Sequence, residues 1–437
     1  MRLLYSESGQ KRRINNMISP VHKWTAERTG LQDKLNDWTL RNWQHEKLRQ
    51  FVTYAKENTR FYRDLPGNFN DITELPFTFP TDIADPMAFL AISPGDVERI
   101  TTLNTSGTTG DRKRIFFSIG DIERIKDYFA VGMSSLTVKG WHTQILISDD
   151  TINSLGYLLR EALGTLGITS SILPVIPDKD FAISASRGAD CIVGMPAELL
   201  YMCRTEPGLR PKSILLTADY IPQSIVKALR ETWECDVFTH YGMTETGFGY
   251  AVDCEYHSGH HTRDAEIIVE IVDPMTGKPS ISGEKGEIVL TMLSNEAMPL
   301  IRYRTGDLSY FIESTCKCGG SLRRLGTIES RFEDDIIVPG FPNLNIHVLD
   351  EILFSISFVR GFNAAFTRQE NDSHLYLVID STEKINPTTF DPIVYPGMHI
   401  HIRYGTCDPF THRGKRRIYT DINHPLLKDY FNSKRTI

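Results

Sequence analysis

Several short segments hold residues whose types and spacing can do chemistry. The first is TSGTTGDRK, residues 105–113. Its two glycines permit a tight backbone bend, and its hydroxyls and amides can surround phosphate oxygens. Arg112, Lys113 and Arg114 add positive charge beside it. It is not a Walker loop, because the GxxxxGK[ST] spacing is absent and Asp111 follows the second glycine. Read alone, the segment serves equally well as a polar turn ahead of a strand at 115–118.

Three more segments follow in chain order: HYGMTE at 240–245, PLIRYRTGDL at 299–308 and GKRR at 414–417. Singly, each has an ordinary explanation. Glu245 suits the first turn of a helix, where a carboxylate complements the dipole. Asp307 after Gly306 suits a hairpin turn. Lys415, among Arg413, Arg416 and Arg417, suits a solvated basic run. A further cluster pairs Cys316 and Cys318 with Cys254, which is followed by His257, His260 and His261. Thiolates and imidazole in two separated pairs suit tetrahedral zinc; a reduced, metal-free cysteine pair is the alternative.

Taken together, in this order and spacing, the phosphate-type loop and the three later segments resemble the adenylate-forming superfamily of acyl-CoA synthetases, nonribosomal adenylation domains and luciferases. Within it, the phenylacetate–CoA ligases are the nearest likeness, through EAMPLIRYRTGDL (296–308), CKCGG (316–320) and ELPFT (74–78). The resemblance covers nearly the whole chain. It implies that a carboxylate, aromatic by this likeness, attacks the α-phosphorus of ATP and expels pyrophosphate. The acyl-adenylate then passes to coenzyme A. Two anions must approach, so the site needs cations and amide donors where charge develops.

The same resemblance assigns roles. Thr105, Ser106, Gly107, Thr108, Thr109 and Gly110 take the β- and γ-phosphates, with Lys113 in the ATP site. Glu245 holds Mg²⁺, a hard cation that prefers oxygen ligands. Thr244 contacts the α-phosphate. Tyr241 lies against adenine, with Gly242 in the same site, and Asp219 is near adenine. Asp307 accepts from the ribose hydroxyls, and Arg331 sits near ribose or phosphate. Lys415 is the catalytic lysine, on a C-terminal domain that swings about a hinge at 331–335. Glu333 stands there where the family usually has Asp. By its spacing from Cys254, His261 matches the histidine of relatives that carry zinc, with His260 as a fallback. The implied zinc is structural, held by Cys254, His261, Cys316 and Cys318.

The chain also departs from the phenylacetate ligases. Arg112 replaces a proline, Pro339 an arginine, DDTINSLGYLL (149–159) a glycine-rich stretch, and MPAE (195–198) their TPSY. The acid is therefore left open. Its pocket is expected between about 145 and 245, including Tyr157, Met195 and Phe238. Two other readings stay in play. One keeps adenylation but changes the acceptor to a carrier protein or a deazaflavin-type coenzyme. The other is a degenerate, non-catalytic nucleotide-binding protein.

These residues need elements to position them. Apolar residues from Leu35 to Val52, Trp38 and Trp43 among them, recur at helical spacing within 31–58. Residues 66–94 read as an irregular connection. From about 100 to 250, strands at 143–148, 171–174 and 191–193 alternate with helices at 122–136 and 225–233. That pattern predicts an α/β layer with parallel pairing. Residues 265–272, 286–292 and 308–312 predict a smaller antiparallel sheet. Beyond a Pro/Gly-rich stretch, a helix at 348–358 and strands at 373–379 and 398–404 predict an α+β unit. His399 and His401 alternate with isoleucines and belong on the solvent face. The expected class is thus α/β: a large N-terminal α/β domain with a β-rich subdomain, 1–332, plus a small mobile α+β C-terminal domain, 333–437.

Composition bounds the rest. The chain has 437 residues, 41% hydrophobic and 24% charged, a globular balance that excludes a disordered or collagen-like protein. The net charge of −7 gives no general reason to bind nucleic acid or an anionic membrane. No apolar run approaches the ~20 residues of a membrane span, and the first residues lack the apolar core of a signal peptide. Seven cysteines, an odd number, argue for a reducing cytoplasm. The expected partner is a small-molecule carboxylic acid; a homodimer is compatible with the sequence.

Overall fold

The computed structural model describes residues 3–5, 11–13, 18–103, 113–147, 152–173, 178–329, 336–337, 343–369, 372–411 and 416–431. The chain divides into two compact units. One comprises Met1–Val138, Glu161–Leu166 and His240–Glu329; the other comprises Lys139–Arg160, Gly167–Thr239 and Ser330–Ile437. The architecture is mixed α/β, as the alternation of apolar runs predicts.

In the first unit the helix Asp37–Asn58 starts at a capping box of Asn36 and Thr39. It buries Leu40, Gln44, Leu48, Phe51, Val52 and Ala55 on one face. Trp38, counted with the apolar pattern, is instead 72% exposed, because it lies off that face. The helix Ile119–Met133 starts at a second capping box, Ser118 with Asp121. The buried Asp121 carboxylate also accepts from the amides of Glu296 and Ala297, at 2.9 and 3.0 Å, tying this helix to the loop before PLIRYRTGDL.

Three antiparallel strands form the β-rich part in the order Ile267–Val272, Gly286–Met292, Tyr303–Ser309. The third starts five residues before the apolar run that marks it in sequence. Its first half, YRTG, carries no alternating apolar pattern. A second antiparallel ladder joins His240 and Tyr241 to Ala251–Asp253, then to His260–Thr262 and Arg324–Leu325.

The second unit holds a parallel sheet in the order Thr169–Ile172, His142–Ile145, Cys191–Gly194, Ser213–Leu216, Asp236–Thr239. The helices Lys179–Ser186, Pro196–Thr205 and Gln223–Trp233 alternate with these strands. The same unit contains a four-stranded sheet ordered Met398–Tyr404, Asp372–Ser381, Val359–Gln369, Ile418–Tyr419. Leu199, Leu200 and Trp233 share one buried apolar cluster with Leu349, Phe354, Phe362 and Leu375. The strand Val359–Gln369 has no counterpart in the sequence reading, since Gly361, Asn363 and two alanines blur its alternation.

Candidate active site

The strand Asp236–Tyr241 ends at a tight loop. Tyr241 and His240 pair with Ala251 and Val252, so the chain must reverse within the intervening residues. It does so through one 3-10 turn, Thr244–Thr246, followed by Gly247 and Phe248 at positive φ, 78° and 71°. The amides of Phe248 and Tyr250 close the loop on the carbonyls of Met243 and Tyr241, at 2.9 and 3.1 Å. A Cβ on Gly242 would lie 1.8 Å from the Phe248 carbonyl oxygen, so only glycine fits there. This turn buries Glu245 and leaves its neighbour Thr244 half-buried. The Tyr303 hydroxyl donates to Glu245 Oε1 at 3.1 Å.

A distortion in a neighbouring strand presents the second carboxylate. Gly306 has φ of 79°, and the pairing shifts between Glu287 and Val289. Buried Glu287 accepts the Gly306 amide at 3.0 Å and the Arg304 Nε at 2.9 Å. Thr305 Oγ1 donates to the Ile288 carbonyl and receives the Asp307 amide at 3.1 Å. The bulge so fixed brings Asp307 to Tyr241, whose hydroxyl donates to Asp307 Oδ2. The Tyr241 and Tyr250 rings meet at 4.7 Å and 66°. Burial first, then the Asp307 charge, pushes the Tyr241 phenol well above its ordinary range; burial does the same to Tyr250. The Tyr241 phenol therefore stays a proton donor at neutral pH.

Two acidic acceptors, each met by a phenol, thus sit beside aromatic rings. Such a group suits a flat ring, vicinal hydroxyls and a hard cation. Residues 72–293 match the family model described as AMP-binding enzyme. The chain belongs to the AMP-binding enzyme family. A phenylacetate-coenzyme A ligase of Thermus thermophilus is 30% identical over 330 residues, 69% of this chain and 72% of the relative. One from Pseudomonas putida is 27% identical, over 72% of this chain and 75% of the relative. Among solved structures, a 2-hydroxyisobutyryl-CoA ligase in the postadenylation state matches with a TM-score of 0.72 and 16% identity. That match covers 87% of this chain and 89% of the other. The amide bond synthetase of Marinactinospora thermotolerans matches with a TM-score of 0.51 and 18% identity, over 74% and 68%. These structural likenesses are of fold.

Within this AMP-binding enzyme, the first unit brings together Tyr241, Gly242, Thr244, Glu245 and Asp307. Lys113 opens the strand Lys113–Phe117 of the same unit. Thr105, Ser106, Gly107, Thr108, Thr109, Gly110, Arg331 and Lys415 lie outside the described residues. Asp219 belongs to the second unit, where its Oδ1 accepts the Tyr220 amide at 2.9 Å. Met195 immediately precedes the helix Pro196–Thr205 and lines a cavity of about 290 Å³ in that unit. Phe238 is buried in its strand, and Tyr157 lies under the Arg160 guanidinium at 5.0 Å. Neither lines that cavity. Sequence reasoning passed over Tyr303, Tyr250 and Glu287. The available signal for Glu287 was its charge, alone in the apolar strand GEIVLTM.

The cysteine and histidine cluster is assembled. Ligand atoms of Cys254, His261, Cys316 and Cys318 all lie within 4.8 Å of one another, and all four residues are buried. The Cys254 and Cys316 sulfurs are 3.6 Å apart; Cys318 Sγ is 3.5 Å from His261 Nε2. A tetrahedral zinc with Zn–S of about 2.3 Å spaces its ligands about 3.5–3.8 Å apart, so the donor set fits the metal. His260 and His261 are consecutive in the strand His260–Thr262, and alternation turns only one of them to the cysteines. His257 faces Asp253 instead, at 3.4 Å. The Gly320 amide donates to Cys318 Sγ at 3.4 Å and the Ser321 amide to His22 Nδ1 at 3.2 Å, joining the knuckle to the helix Pro20–Thr29.

Proposed function

We propose that the chain activates a carboxylic acid with ATP, forms an enzyme-bound acyl-adenylate, releases pyrophosphate and transfers the acyl group to coenzyme A. Membership of the AMP-binding enzyme family and phenylacetate–CoA ligase relatives support this reaction class. The observation that carries the assignment to particular residues is the meeting of Tyr241, Asp307 and Glu245 from two segments far apart in sequence.

In this reading Asp307 accepts the ribose hydroxyls, a task for an acceptor-only carboxylate, and Tyr241 orients it while covering adenine. Glu245 would hold Mg²⁺, which neutralises phosphate charge; Tyr303 orients that carboxylate. Thr244 donates to the α-phosphate, Thr105 to Gly110 enclose the outer phosphates, and Arg331 approaches the ribose. Lys415 brings its ammonium to the pentavalent α-phosphorus, where negative charge accumulates. It is carried on residues 333–437, which act as a mobile domain about the 331–335 hinge. The acid is aromatic, as in the sequence relatives, with its ring held by residues between about 145 and 245, Met195 among them.

Zinc would be held by Cys254, His261, Cys316 and Cys318 as a structural ion, since four protein ligands leave no open position for chemistry. This reading assigns the enzyme to the cytoplasm, and its buried cysteines without disulfides support that. Among the described residues no helix is long and apolar enough to cross a membrane. A homodimer fits this reading equally with a monomer.

The test is carboxylate-dependent exchange of labelled pyrophosphate into ATP across arylacetic, aromatic and short aliphatic acids. Exchange with an aromatic acid, and an acyl-CoA product on adding CoA, is the expected result. ATP binding without exchange for any acid would replace this reading with a non-catalytic nucleotide-binding protein. An adenylate that forms but ignores CoA would change the acceptor.

A further inference from the structure

Arg302 holds a backbone conformation that a bulky residue rarely adopts: its φ is 49°, and the residue is buried. Its amide, its carbonyl and all three guanidinium nitrogens are bonded. The amide donates to Thr291 Oγ1 at 2.8 Å, and the carbonyl accepts the Thr78 amide at 3.0 Å. Nε and Nη2 form a fork on Glu270, at 3.1 Å to Oε2 and 2.8 Å to Oε1. Nη1 donates to the carbonyls of Leu75 and Thr73, at 2.8 and 3.2 Å. The guanidinium also lies 4.0 Å over the Phe77 ring.

The positive φ has a local cause. Leu290 pairs with Tyr303, while the Met292 amide donates to the Leu300 carbonyl at 2.9 Å. Ile301 and Arg302 therefore stand together opposite Thr291 alone, which is a β-bulge, and the bulge resets the alternation of side chains just before Tyr303. Thr78 then brackets Tyr303, since its amide meets the Arg302 carbonyl and its carbonyl takes the Arg304 amide at 2.9 Å. From this frame the buried Tyr303 reaches Glu245 Oε1 with its hydroxyl. All of these groups belong to the first unit.

A residue other than glycine keeps a left-handed conformation only where its surroundings over-determine it, and such strain concentrates at functional sites. We propose that Arg302 is a positioning residue for the Glu245 carboxylate: its buried anchorage holds the bulge that points the Tyr303 hydroxyl at Glu245. A carboxylate held in this way loses less rotamer freedom when it takes up a cation. This inference rests on the assignment of Glu245 to Mg²⁺ in the proposed function.

Equilibrium dialysis of labelled ATP against the full chain, with and without Mg²⁺ and with no acid present, tests the inference. Wild type should bind ATP more tightly with Mg²⁺, and Glu245→Gln should lose most of that enhancement. Arg302→Lys keeps the charge but not the planar fork. It should cut the enhancement about tenfold or more, the scale of a hydrogen bond to a charged group, and leave metal-free ATP affinity within about twofold of wild type. Tyr303→Phe should lose as much. Because Arg302 acts through Tyr303, adding Arg302→Lys to Tyr303→Phe should change the enhancement by less than about twofold. Glu270→Gln withdraws one acceptor from the fork and carries the same direction of change should Arg302→Lys fail to fold. Wild-type enhancement in Tyr303→Phe, or in both Arg302→Lys and Glu270→Gln, overturns the proposal. So do losses that multiply in the double variant, or equal loss with and without Mg²⁺, either of which would assign Arg302 to the fold alone. Glu245→Gln that keeps the full enhancement removes the magnesium assignment itself, and this inference with it.

Discussion

The hydroxyl of Tyr241 donates to the carboxylate of Asp307 across a separation of 66 residues, and neither reaches the other without a backbone irregularity. Tyr241 leads into a loop that only a glycine at 242 can close, and Asp307 leaves a bulge built on Gly306. Asp307→Asn should raise KM for ATP about 10- to 100-fold, the scale of losing a charge-assisted bond of roughly 1.5–3 kcal/mol. Tyr241→Phe should act in the same direction and less strongly. Pyrophosphate exchange at varied ATP reads both. Unchanged KM in Asp307→Asn would separate this pair from nucleotide binding.

Glu287 gives a prediction that sequence reading did not supply. Its carboxylate takes the Gly306 amide and the Arg304 guanidinium, and its side chain is only 8% exposed. Breaking a buried pair from one side costs about 3–5 kcal/mol, because the remaining charge is stranded. Glu287→Ala should therefore lower the urea midpoint of the unit that contains it. It should also raise KM for ATP, since the bulge that presents Asp307 loses its anchor. Glu287→Gln keeps an acceptor for the Gly306 amide and should lose less nucleotide affinity than the alanine variant. Equal KM effects would assign Glu287 to stability alone.

What could be read in advance follows the physics of each signal. Gly286–Met292 was legible as a β-rich apolar run bounded by turn residues, and Met398–Tyr404 by its apolar alternation. Glu245 and Asp307 were legible only as members of an ordered set, since each alone resembles a cap or a turn. Val359–Gln369 was not legible: it is one of the two inner strands of its sheet, yet small and polar residues interrupt its pattern. The phenols that orient the two acids were also hidden. A tyrosine in a strand looks like core until the third dimension shows which carboxylate it meets.

Zinc content is a separate prediction. Purified protein should contain about one zinc per chain, and Cys318→Ser should release it. A bound zinc would tie the loop at 254–261 to the 316–320 segment, which Ser321 and His22 join to the helix Pro20–Thr29. Losing an ion worth several kcal/mol of folding energy should lower the melting temperature by about 5–10 °C or more. Elemental analysis and a melt with and without chelator check this. Zinc-free protein with an unchanged melt and full exchange activity would remove the metal from the description.

Lys415 gives the sharpest division between the two half-reactions. Adenylation brings two anions together, and in the proposed reading the Lys415 ammonium stabilises the charge that builds at the α-phosphorus. Thiol attack on the finished acyl-adenylate places its developing charge on the acyl oxygen and on departing AMP, a geometry that does not need the same lysine. Lys415→Ala should therefore abolish pyrophosphate exchange, by about a thousandfold or more if the ammonium is the principal electrostatic contact. CoA-dependent consumption of supplied acyl-adenylate should continue near the wild-type rate. Parallel loss of both steps would mean that the lysine serves the fold, or a contact common to both states. In that event the proposal that residues 333–437 move as a unit would lose its main chemical reason.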